Sequence, residues 1–187
     1  MEISLTNSRP ECEFLQGSLI KVDNLMQKDY SYILSAPFGY EGFPPDFTPE
    51  LSPDRMLELG VFEGKYLNDC TNEYPREWFA RALAADTLSP DKPDINCNYF
   101  KIKSRQSLSV WRTKGWIFGP DVRGWFEWYC RFYMGRRNEE IDKIQIRRWL
   151  AFRRHRGQIE KNCTPLDTSC RPRQRQALLQ WAYNPFI

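Results

Sequence analysis

Pro120-Asp121-Val122-Arg123-Gly124-Trp125-Phe126-Glu127-Trp128-Tyr129-Cys130-Arg131-Phe132-Tyr133-Met134-Gly135 is the stretch whose reading decides the fold class. Spaced at 100° per residue, Val122, Trp125, Phe126, Trp128, Tyr129, Phe132 and Tyr133 share one broad apolar arc. The spacing predicts a core helix opened by Pro120 and ended by Gly135. Arg123, Glu127 and Arg131 follow at i, i+4 and i+8 on the opposite edge. They read as a surface ion-pair ladder in which each pair contributes about 0.2–0.5 kcal/mol.

Downstream, Asn138 caps a long helix expected from Glu139 to about Lys161, with a break expected near Gly157. On its wheel Ile141, Ile144, Phe152 and Ile159 form an apolar stripe for the core. Lys143, Arg147, Arg154 and Lys161 line up on the far side, as a solvated face or as a track for phosphates. Arg148 and His155, at i and i+7, sit on the edge of the apolar stripe and are expected to point inward or into a cleft. Arg148 is then expected to find a carboxylate such as Asp69 or Glu63, because unpaired burial of a charge is costly. A last helix is expected from Pro172, and Arg171, Arg173 and Arg175 at its start oppose the helix dipole. That conflict calls for an acidic surface or a bound phosphate.

Upstream, Asn98–Lys103 alternates like a short strand. Ser104 is expected to cap a short helix through Arg112, ended by Gly115, with strand an alternative for Leu108–Trp111. Lys101, Lys103, Ser104 and Arg105 would place cations and a hydroxyl at that helix start, a phosphate-receptive position that lacks the glycine spacing of a P-loop. Trp111 and Trp116 flank Arg112-Thr113-Lys114-Gly115 and form the best candidate edge for base stacking. Helices are also expected from Pro53, with Ser52 as cap and Gly60 as stop, and from Pro75 through Ala85. Residues 35–53 hold Pro37, Pro44, Pro45, Pro49 and Pro53, which marks an extended arm. Phe38, Tyr40, Phe43 and Phe47 argue that it is docked.

The fold expected is mainly α: a compact helical domain over 52–187, with a short strand or hairpin near 97–117 as an option. A Pro-rich arm over 1–51 would dock on it. Within the domain, 52–94 is acidic and 95–187 basic. Residues 101–187 carry 19 Lys+Arg against 7 Asp+Glu and six of the seven Trp, within a chain of net charge +3. The 7 Trp, 9 Tyr and 12 Phe supply ample apolar area for a core.

No run of apolar residues approaches a membrane span and the N-terminus lacks a secretory pattern, so a soluble intracellular protein is expected, with no membrane partner. In that setting the six cysteines are expected as free, mostly buried thiols, with a Cys163–Cys170 disulfide disfavoured. No CxxC occurs, so neither metal nor cofactor is expected.

No motif specifies a reaction. Three functions follow, in order. The first is a nucleic-acid-binding protein, using the basic helix and basic helix starts for phosphates and tryptophan for bases. The second is an enzyme acting on a phosphorylated or nucleotide-like anion in a cleft between the halves, with Arg148 holding it and His155 or a carboxylate of the N-terminal half as acid–base. The third is an assembly or adaptor protein that meets an acidic protein surface. Oligomeric state is left open.

Overall fold

The computed structural model describes Ile3 and residues 5–187; Met1, Glu2 and Ser4, at the tip of the expected arm, lie outside the described residues. The arm contributes two strands, β1 (Leu19–Val22) and β2 (Tyr30–Ile33). Helices α1 (Pro53–Glu58), α2 (Arg76–Ala84) and α3 (Leu108–Thr113) follow. The basic half then builds α4 (Trp125–Met134), α5 (Glu139–Ala151), α6 (Arg153–Asn162) and α7 (Pro172–Leu179). The mainly helical fold expected from the sequence is the one observed, with a small hairpin added.

Helix α4 is the axis of the core. Every one of its residues except Tyr133 is buried, including Glu127 and Arg131. The Arg123–Glu127–Arg131 ladder is therefore not on the surface. The segment 62–75 covers that face and brings acidic partners with it. Arg123 meets Asp69 at 2.8 Å, and Arg131 meets Glu73 at 2.6 Å and Asp121 at 3.1 Å. Arg136 joins through Asp121 at 2.7 Å. Carboxylates of the acidic half thus neutralise arginines of the basic half inside the protein, where each charge needs a partner.

The arm is sewn onto this axis. Ile20, Val22 and Tyr32 point inward from the hairpin, with Ile20 opposite Tyr32 in register. The Tyr32 hydroxyl donates to Glu73 at 3.1 Å. Phe43 and Phe47 lie 5.0 and 5.5 Å from Phe132. Gly135 is what permits the closest approach: its φ is +114°, and a Cβ there would sit 2.2 Å from the Ala36 carbonyl oxygen. In its absence Ala36 N–H donates to the Gly135 carbonyl at 3.0 Å.

Several local expectations are corrected. The strand option near 97–117 is not taken: 98–106 has no regular structure, and the hairpin lies in the arm instead. Asn98, fully buried, donates to the Ile102 carbonyl and accepts from Glu63 N–H, which folds that segment back on itself rather than against a neighbouring strand. Ser107, not Ser104, caps α3. The long basic helix breaks at Phe152, not Gly157: i→i+3 bonds from Phe152 to Trp149 and from His155 to Phe152 tighten the backbone there.

The buried face of α5 is Asp142, Gln145, Ile146 and Trp149, and Ile144 is 44% exposed. Trp149 outweighs the isoleucines in area, and Trp128 Nε1 donates to Asp142 at 2.7 Å to fix that rotation. Cys163 and Cys170 are joined in a disulfide, against expectation, because the α6–α7 turn brings their Cα atoms to 5.8 Å. Neither can serve as a metal ligand in that state. Cys70 and Cys130 are buried free thiols, and Cys12 is exposed.

Candidate functional site

The break at Phe152 turns α6 toward α7 and opens a cleft of about 460 Å³ beside α3. Its base is Trp125 and Phe126 from the start of α4, with Trp111 on one side. Opposite stand Phe152 and Trp181, whose rings stack at 4.4 Å, while Trp181 also stacks on Trp125 at 4.6 Å. Trp116 lies at the rim, 42% exposed, with the Lys114 ammonium 4.6 Å from its ring centroid. Trp78, Trp125, Trp128 and Trp149 are each at most 5% exposed. Trp111 and Trp116, the two expected to keep aromatic surface in reach, stay outside that buried set.

The cations of the lining are Arg148 and Arg154, with His155 beside them. Arg148 does turn toward the cleft, but its expected carboxylate does not arrive. Asp69 is taken by Arg123, and Glu63 is buried with Oε1 unpartnered. Arg148 uses one nitrogen, Nη1, donating at 2.9 Å to the Trp116 carbonyl and at 2.9 Å to Gln145 Oε1. Its guanidinium lies 5.6 Å from the Trp181 ring and 5.9 Å from Phe118. Burial pushes it below its ordinary pKa, and no ion pair among the described residues opposes that. His155 rests on Phe152 at 4.6 Å. Burial first, then the Arg154 charge, lowers its pKa, so the imidazole is held toward its neutral form.

Among the described residues the lining holds no carboxylate and no thiol. It can stack planar rings and attract an anion; it offers His155 no acidic partner to orient it.

Of the residues singled out in the sequence, Ser104, Trp111, Trp116, Arg148, Arg154 and His155 come together here. The others do not. Lys101 turns back onto the Asn96 carbonyl, and Arg105 donates to the Lys65 carbonyl at 2.9 Å. With no helix starting at Ser104, whose hydroxyl instead meets Gln180, there is no helix start for Lys101, Lys103 and Arg105 to occupy. Arg112 is exposed on α3, away from the lining. Lys143 pairs with Glu139 at 2.5 Å, and Arg147 and Lys161 are exposed on separate helices, so the break removes their single line.

Arg175 is fully buried. Its three nitrogens donate to the carbonyls of Asp167, Cys170, Pro185 and Ile187. Those carbonyls, not a phosphate, compensate it. Arg173 is exposed and Arg171 half-buried, outside the cleft. Phe152, read in the sequence only as part of the apolar stripe, and Trp181 are further cleft residues. Phe152 lies between Arg148 and His155 in the sequence, whereas Trp181 arrives from the far end of the chain by packing on Trp125 and Phe152.

No family model, curated protein or solved structure matches the chain.

Proposed function

We propose that the chain binds single-stranded nucleic acid, with an unpaired base against Trp111 and Trp116 and its phosphate beside Arg148 and Arg154. One observation carries the reading: an aromatic cleft whose deepest cation, Arg148, is met by no carboxylate among the described residues. Stacking a base on an aromatic face contributes about 1–3 kcal/mol and tolerates any sequence. A guanidinium with free nitrogens suits a phosphate oxygen. Bases inside a duplex are already stacked, so the cleft selects single strands. Exposed Arg147 and Lys161 add longer-range attraction.

Titration of tryptophan emission with a short single-stranded oligonucleotide, from about 50 to about 200 mM salt, tests this. Quenching is expected, with affinity falling as salt rises and with duplex bound more weakly. Salt-indifferent binding, or equal affinity for duplex, defeats the reading.

His155 on the same wall favours a second reading, acid–base chemistry on a phosphorylated or nucleotide-like substrate. Turnover that His155→Ala abolishes without weakening binding would select it over simple binding.

A further inference from the structure

A second hollow, of about 290 Å³, adjoins the cleft. The two have Tyr66, Gln106 and Trp111 in common and no other lining residue. Trp111 therefore stands as a partition with one compartment on either side. It is a firm one. The Tyr66 hydroxyl donates to the Arg123 carbonyl, and the Tyr66 ring lies 4.4 Å from Phe62. Phe62 in turn meets Trp111 edge-on at 6.4 Å.

The chemistry of the smaller compartment differs from that of the cleft. It is bordered by Lys65, Arg105 and Arg123, with Asp69 as its one carboxylate among the described residues. Asp69 is already committed to Arg123. Lys65 and Arg105 are anchored only on carbonyls, Pro90 at 2.6 Å for Lys65 and Lys65 itself at 2.9 Å for Arg105. No anion among the described residues meets their two positive charges. Asn68 adds an unused acceptor: its Nδ2 is held by the Gly64 and Ser89 carbonyls at 2.8 Å each, and its Oδ1 is buried without a partner. An amide so fixed cannot flip to satisfy itself. Cations and a polar edge on one side, stacked rings and Arg148 on the other, match the repeating phosphate–base pattern of a nucleic-acid strand.

Resting on the single-strand reading, we infer that the site takes two consecutive nucleotides, with the Trp111 indole between their bases and the smaller compartment holding the second phosphate near Lys65 and Arg105. The smaller compartment, at about 290 Å³, is at the lower limit of ligand-site volumes and adjoins the cleft of about 460 Å³, so a dinucleotide would use both.

Affinities for a mononucleotide, the matching dinucleotide and the tetranucleotide, at one salt concentration, test the inference. A gain of about tenfold is expected from one nucleotide to two, from added stacking and a second phosphate, with a much smaller gain from two to four. Trp111→Leu should remove the first gain. Arg105→Gln, checked for native melting, should weaken the dinucleotide about three- to tenfold and shift the mononucleotide less than about twofold. Equal affinity for one and two nucleotides overturns the inference and leaves the single-strand reading standing. Absence of binding by every length, with the protein folded, overturns both.

Discussion

Arg131 Nε lies 2.6 Å from Glu73 Oε1, and neither side chain is more than 2% exposed. This one contact joins the basic half to the acidic half through the centre of the molecule. Asp121 and Glu127 complete the surround of Arg131, at 3.1 and 3.4 Å. Arg131→Met would leave three carboxylates facing one another without their shared cation. A loss of about 3–5 kcal/mol is expected in urea unfolding. Lys143→Met, at the exposed Glu139 pair, should leave the midpoint unmoved. A loss below about 1 kcal/mol for Arg131→Met would show that the network does not hold the halves together.

Burial pushes the Glu127 carboxyl up to about 7, even though Arg131 and the Arg123 backbone N–H favour its charged form. The folded value is above that of the unfolded chain, near 4.5. The folded state therefore binds the extra proton between those values. Its contribution to stability is full below about 4.5 and is lost as pH rises toward about 7. Glu127→Gln keeps the shape of the protonated acid. Relative to wild type, the variant should gain roughly 2–3 kcal/mol in going from pH 5 to pH 8. Parallel stability–pH curves for the two proteins would refute the assignment.

The Cys163–Cys170 bridge spans a sequence separation of seven and closes the turn between α6 and α7. Closing so short a loop stabilises by about 2 kcal/mol through the unfolded chain. A reductant should then lower Tm by about 4–8 °C at this chain size. The Cys163→Ser/Cys170→Ser double variant should start at the lower Tm and ignore the reductant. A wild-type Tm that reductant does not move would remove the bridge from the stability of the fold.

What the sequence made legible follows from the range of each signal. Helix starts at Pro53 and Pro172 and the stop at Gly135 are written in one or two residues, and they hold. The aromatic arc of α4 correctly marked core, yet its opposite edge was also buried. Nothing within one helix reveals that Asp69 and Glu73 arrive from 50 residues or more away in sequence. The hairpin was missed although Leu19-Ile20-Lys21-Val22 and Tyr30-Ser31-Tyr32-Ile33 are rich in β-branched and aromatic residues, because four-residue strands give periodicity little length to register.

The inward turn of Arg148 was legible from the wheel, since a helix face is local. Its partner was not, because Arg123 competes for Asp69 in three dimensions. The four-cation stripe failed for a related reason: a wheel assumes one straight helix, and the backbone breaks at Phe152.

Arg148 separates stability from binding. It is half-buried, meets no carboxylate among the described residues, and has its pKa lowered by burial, so its charge is a cost to the folded state. Its guanidinium lies over the Trp181 and Phe118 rings. Arg148→Met keeps an apolar side chain beside those rings and removes the charge. Stability is expected to stay level or rise by up to about 1 kcal/mol, as replacements of poorly compensated buried ions do. Affinity for a single-stranded oligonucleotide should fall about tenfold, and the slope of log affinity against log salt should shrink by about one phosphate contact. Lost stability with unchanged affinity would make Arg148 a structural residue and leave the cleft without its anion contact.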